Sequence, residues 1–230
     1  MQEGKGVTLL KHTRKKSVTN ESSSLDLLEC SYEYPQILTK NEDSTQAMVN
    51  EDITSEMEQR YQSNCEEALV NALYIVDLFS KPDDMIGPSW FPLTASVTYR
   101  IPWNQYGILS IVFLEFRWYG GAHPMTEQFS MTYNVETGKR ITAPEVLGET
   151  EEEVKRQIAN GFMKQYEEDS SKFFPEAIKD LAQLKFEYRF YLMGDKIVFY
   201  FNPYELGPYV SGILEFSMPI LKEENEHMVG

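Results

Sequence analysis

Hydrophobic and polar residues alternate most clearly toward the C-terminal end of the chain, where Phe186, Tyr188, Phe190 and Leu192 interleave with Glu187, Arg189 and Tyr191. A period of two marks a β-strand with one buried face, and Met193-Gly194-Asp195-Lys196 supplies a reversal before the apolar run Ile197 to Phe201. The pattern predicts a β-hairpin. Asn202-Pro203 ends its second strand, because proline brings no amide hydrogen to a ladder. Gly207-Pro208 and Gly212 then punctuate a tyrosine-bearing loop ahead of a last strand, Ile213 to Ile220.

From the other end, Val7 to Ser17 reads as a strand whose Lys11, Arg14, Lys15 and Lys16 suit an edge. Asn20 to Ser24 is a polar break, and Leu27 to Tyr34 alternates as a second strand ending at Pro35. Ile53, Met57, Tyr61, Cys65, Ala68, Ala72, Val76 and Phe79 recur at steps of three or four, which predicts one long helix from Asp43 to Phe79, stopped by Lys81-Pro82. Asp83 to Pro92 follows as a loop. Leu93 to Ile101 and Gly107 to Tyr119 predict a second hairpin turning at Pro102-Trp103-Asn104-Gln105, and Ile108 to Phe116 is apolar on both faces, as in a strand covered on both sides. Thr126 to Val135 is a further strand that turns at Glu136-Thr137-Gly138-Lys139, with Gly138 where a left-handed residue is needed. Thr150 and Glu153 form a capping box for a helix striped by Val154, Ile158, Phe162 and Tyr166, and Pro175 opens a shorter helix to Leu184. Hairpins dominate this order, so the fold class is α+β, with mainly antiparallel sheets each covered by a helix, in two fused units. Residues 1–125 form the first unit and 126–221 the second, with an acidic tail at 222–230.

Composition narrows the function classes. At 230 residues and 42% hydrophobic, the chain buries one sizeable core or two small ones. Its 21 basic and 36 acidic side chains give a net charge of −15, which disfavours nucleic acid and anionic membrane surfaces and permits a basic protein partner. The longest uncharged run, around Ile101 to Leu114, falls short of the ~20 apolar residues of a spanning helix, so no membrane insertion is expected. Val7 to Leu10 is shorter than the roughly 7 to 15 apolar residues of a signal peptide. Cys30 shares a strand face with Leu28, Tyr32 and Tyr34, and Cys65 lies on the helix stripe, so both point to the core. Two buried reduced thiols and a disulfide between strand and covering helix both fit this placement, the second requiring an oxidising compartment.

Candidate chemistry is sparse. His123 sits in the turn Gly120-Gly121-Ala122-His123-Pro124, which two glycines and a proline explain on conformational grounds alone; the functional alternative is an enzyme with a hydrolase-type site around His123. The other histidines, His12 and His227, are near opposite ends of the chain, so neither a metal site nor a cofactor is expected. No nucleophile elbow or phosphate loop occurs. Tyr204 and Tyr209, with Trp90, Phe91 and Trp103 from other loops, are rings suited to protein or sugar recognition at one surface.

Three stretches together carry a resemblance: IVFYFNPYELGPYVSGILEFSMPI at Ile197 to Ile220, GGAHP at Gly120 to Pro124, and NVETGKRIT at Asn134 to Thr142. They resemble a bacterial pair of tandem domains of unknown function, found in the extracytoplasmic part of lysozyme-sensing anti-sigma factors and the N-terminal, non-catalytic part of some peptidoglycan deacetylases. The resemblance runs from about Cys30 to Ile220. It implies a recognition module for a basic cell-wall hydrolase such as lysozyme, or for a wall glycan. It also implies an extracytoplasmic setting, whereas the missing export signal leads to the expectation of a cytoplasmic relative or a piece trimmed from a longer protein.

Overall fold

A computed structural model of the chain describes residues 6–21, 23–39, 44–78 and 90–220. The expected helix stop at Lys81-Pro82, most of the loop before Pro92 and the acidic tail lie outside these residues. The architecture is α+β. Six strands form one sheet in the order β1 (Leu9–Asn20), β2 (Leu25–Ile37), β3 (Leu93–Gln105), β4 (Ile108–Trp118), β5 (Met125–Asn134) and β6 (Lys139–Arg140). A second sheet holds β7 (Arg189–Met193), β8 (Lys196–Phe201) and β9 (Leu214–Pro219). Among the described residues, β2 and β3 make the one parallel pairing, and the helix α1 (Thr45–Leu78) is part of their crossover.

Each sheet carries a helix, as the apolar stripes require. Val49, Ile53, Met57, Tyr61, Cys65 and Ala68 of α1 are buried against Leu28, Cys30 and Tyr32 of β2 and the odd-numbered residues of β4, Leu109, Ile111 and Phe113. Cys30 and Cys65 meet in this layer as a disulfide, their Cα atoms 6.2 Å apart. In the second unit, α2 (Ala143–Leu147), α3 (Glu151–Glu168) and α4 (Pro175–Ala182) gather around the small sheet. Val154, Ile158 and Phe162 of α3 are fully buried against Ile197, Phe199 and Phe201, and each contributes ~1.5–3 kcal/mol relative to exposure.

Three expectations are corrected. Strand β2 continues through Pro35 because Ile37 directs its amide and carbonyl to Asn50 (2.7 and 2.8 Å), away from β1. Pro35, two residues earlier, faces that same side, and β3 pairs no further than Tyr32, so no ladder donor is missed. The hairpin after β3 reverses not at Pro102 to Gln105 but at Tyr106-Gly107, whose φ of 53° and 72° suit a two-residue turn. Pro102 and Trp103 stay in the strand because the ladder shifts register between Arg100 and Trp103, leaving proline out of the pairing. The short helix α2 was not anticipated, although Thr142 and Glu145 make the same capping box as Thr150 and Glu153.

Strand β5 pairs with β4 from Ile108↔Asn134 to Arg117↔Met125 and so belongs to the six-stranded sheet. The back face of β4 and β5 receives the second unit. Val112 packs on Tyr191, Val198 and Tyr200. The outer edge of β7 meets the same surface, where Leu192 donates its amide to Ser110 Oγ (3.0 Å) and Ser130 Oγ donates to the Phe190 carbonyl (2.6 Å). Small hydroxyl side chains let the strand approach and satisfy its unpaired edge.

Candidate functional site

The loop after β8 is shaped by its own hydrogen bonds. Asn202 donates its amide to Glu205 Oε2 (2.6 Å), Glu205 returns its amide to the Asn202 carbonyl (3.1 Å), and Tyr204 donates to the Gly207 carbonyl (2.9 Å). Arg189 holds Glu205 from β7 at 2.8 Å. A side chain at Gly207 is impossible without rearrangement, since a Cβ there would lie 1.9 Å from the Lys172 carbonyl oxygen. The loop is also fastened to the other unit: Asn202 Oδ1 accepts from the Gln128 amide (2.7 Å), and Asn202 Nδ2 donates to the Gln128 carbonyl (2.9 Å). The buried Asn202 amide therefore pairs with β5 as a neighbouring strand would.

This attachment brings the NPYELGPY loop to the GGAHP turn. The His123 ring stacks on Tyr209 with centroids 4.2 Å apart and planes 26° apart, and Tyr204 lies 6.0 Å from Tyr209. His123 Nδ1 is 2.8 Å from the Pro124 carbonyl, which can only accept, so Nδ1 carries a proton. Nε2 lies 3.3 Å from the Tyr204 hydroxyl. Tyr204 is 48% exposed and has a φ of 71°, a left-handed conformation rare for an aromatic residue. Strain of this kind persists where surrounding contacts impose it, and here the bonds of Asn202 and Glu205 to each other, to Arg189 and to Gln128 do so. The outcome is an exposed patch of ring faces with a phenol and an imidazole along its edge.

The tryptophans are placed differently. Trp90 lies at the same end of the sheet, against Gly120, and its carbonyl accepts from Trp118 Nε1 (3.4 Å). Trp103 lies at the opposite end, on β3 beside Ser110, half-buried in the second unit's core with its Nε1 donating to the Gln105 carbonyl (3.1 Å). Of the six candidate residues, His123, Tyr204 and Tyr209 form one cluster, Trp90 is on its side of the molecule, Phe91 packs against Leu27, Ala72 and Leu93, and Trp103 is remote.

Two polar features escape a linear reading. Asn202 looked like a strand terminator, and its role depends on Gln128, 74 residues away. Glu115 lies inside the apolar run of β4 with its side chain 1% exposed, and Asn64 and Arg60 of α1, with Arg117, hold its carboxylate. The Arg60 guanidinium also lies 3.9 Å over the Phe129 ring. A carboxylate in an apolar strand is the available signal for such a network, because a buried charge must be paired. Burial raises the Tyr32 hydroxyl pKa well above the usual tyrosine range, reinforced by Glu115 and opposed by the Asn64 hydrogen bond.

Among the described residues no cluster of three or more histidine, cysteine or carboxylate side chains could hold a metal ion, and no helix is long and apolar enough to cross a membrane. No curated protein matches the chain. Two solved structures share the fold: a DUF3298 family member from Bacteroides fragilis, 17% identical with a TM-score of 0.60, and a DUF3298 family protein from Pseudomonas aeruginosa, 13% identical with a TM-score of 0.61. Each alignment covers 94% of this chain and 92% of the other. Residues 21–126 match the family model described as "Deacetylase PdaC", and residues 139–220 match "Protein of unknown function (DUF3298)". The chain therefore carries a PdaC-type domain followed by a DUF3298 domain, the tandem pair that its motifs resemble.

Proposed function

We propose that this protein is a non-catalytic recognition module that binds a basic cell-wall hydrolase of the lysozyme type through the surface around His123, Tyr204 and Tyr209. The observation that carries the reading is the strained, half-exposed Tyr204, fixed beside two further rings by a loop clamped to both units. Preorganised aromatic side chains bind with little loss of conformational freedom. The net charge of −15 supports a cationic partner by steering its approach. His123 is hydrogen-bonded to a carbonyl and a phenol instead of a nucleophile and a carboxylate, an arrangement suited to holding the ring for stacking. The Cys30–Cys65 disulfide supports an oxidising, extracytoplasmic setting. Exposed ring faces also suit sugar stacking, so a wall glycan is the second ligand to test.

The test is a titration of lysozyme across ionic strength, beside an equally basic protein that lacks a substrate cleft. The expected result is saturable one-to-one binding of lysozyme that persists at physiological salt, where the screening length is ~8 Å, while binding of the control disappears. Tyr209→Ala should weaken lysozyme binding by about tenfold or more, as the loss of a central aromatic anchor does. Equal, salt-labile binding of both proteins would reduce the attraction to net charge. Peptidoglycan fragments, titrated separately, address the glycan reading with the same variant.

A further inference from the structure

At the end of β4 far from His123, about 30 Å away along the strand, a cavity of ≈ 580 Å³ opens at the seam between the two units. Its volume is that of a small-molecule site, larger than a packing defect. Trp103 and Ile108 come from the six-stranded sheet, Val146 from α2, and Leu192 from β7, so neither unit forms the cavity alone. Among the described residues, the ionised groups lining it are two carboxylates, Glu145 and Asp195, and no cationic side chain lines it. Glu145 is held in place by the amide (2.7 Å) and hydroxyl (2.8 Å) of Thr142, and Asp195 sits exposed in the β7–β8 turn.

From this arrangement we infer that the seam cavity binds an amphiphile with an apolar body and an ammonium head. The aliphatic walls take the body. The head meets two carboxylates and an indole, whose ring face attracts cations and binds quaternary ammonium groups especially well. Trp103 is suited to this because its Nε1 is already bonded to the Gln105 carbonyl, which fixes the ring plane. An anionic head would face two negative charges.

The inference is independent of the recognition surface and is tested separately by calorimetric titration of the full chain. The probes are decyltrimethylammonium, decylphosphocholine, decyl maltoside and decyl sulfate, each below its micelle-forming concentration. Decyltrimethylammonium should bind one-to-one, at least tenfold more tightly than decyl sulfate. Asp195→Asn, an exposed change compatible with folding, should weaken the cationic probe about fivefold, one surface charge pair's worth, and leave decyl maltoside unchanged. Trp103→Leu should weaken both, and Tyr204→Ala neither. Tighter binding of decylphosphocholine than of the simple ammonium would identify a lipid head group as the source, and the reverse a free amphiphile. Indifference to head-group charge, or Kd values unmoved by Asp195→Asn and Trp103→Leu together, would overturn the assignment.

Discussion

The two units solve the same packing problem by different means. In the first, α1 is fixed to its sheet covalently by Cys30–Cys65 and electrostatically by the buried Glu115 with Arg60 and Asn64. In the second, capped helices and aromatic packing hold the small sheet, and Asn202 ties its exposed loop to the first unit. One unit is internally stapled, whereas the NPYELGPY loop of the other depends on its neighbour. The candidate recognition site follows from that dependence, since His123 belongs to the hairpin of the first unit and Tyr204 and Tyr209 to the loop of the second.

Breaking the staple should have the largest effect. The disulfide spans a sequence separation of 35, and replacing both cysteines by alanine should cost about 4 kcal/mol through the freed unfolded chain. Urea unfolding with and without reductant measures this, and an unchanged midpoint would show that α1 needs no covalent tie. Next comes the clamp. Asn202→Ala removes two buried hydrogen bonds and orphans the Gln128 amide and carbonyl, an expected cost of about 2–3 kcal/mol. Faster hydrogen exchange at the Gln128 amide would locate the loss at the seam, whereas protection equal to wild type would mean that the units are held elsewhere.

Smaller effects sharpen the contrast. Gly138 has a φ of 72°, and a Cβ there would lie 2.8 Å from the Thr45 carbonyl oxygen at the start of α1. Gly138→Val should therefore destabilise by about 1–2 kcal/mol in thermal melts. Tyr204→Gly relieves a left-handed residue while adding backbone freedom, so stability should change by less than about 1 kcal/mol even as lysozyme binding falls. A stability loss well beyond that would make Tyr204 a structural residue. The smallest effect is electrostatic. Hydrogen bonds from the Thr142 amide and hydroxyl hold the Glu145 carboxyl below its ordinary pKa of 4.5. A depressed folded-state value contributes stability above the unfolded value and loses it as the pH falls through the folded one. Amide exchange should thus show α2 fraying first in acid below pH 4.5, with α1, which has no acidic residue in its first turn, unaffected by this mechanism.

Several elements were readable in the sequence because their signals are local. The three-and-four spacing from Ile53 to Ala72 led to α1, alternation around Gly194 to the β7–β8 hairpin, and the need for a left-handed residue to Gly138. Each depends on residues within one or two turns of chain. Local cues also misled where a neighbour altered their meaning: Pro102 signals a turn in isolation, yet a register shift accommodates it inside β3. Helix α2, at five residues, is too short to develop a period. Only tertiary structure could choose between free thiols and a disulfide, because two cysteines on core-facing positions pair only if α1 lies across β2 in one register. It alone stacked His123 on Tyr209 and sent Trp103 to the far end of the sheet, since those distances are set by how two hydrophobic faces meet, and periodicity records that a face is buried without recording against what.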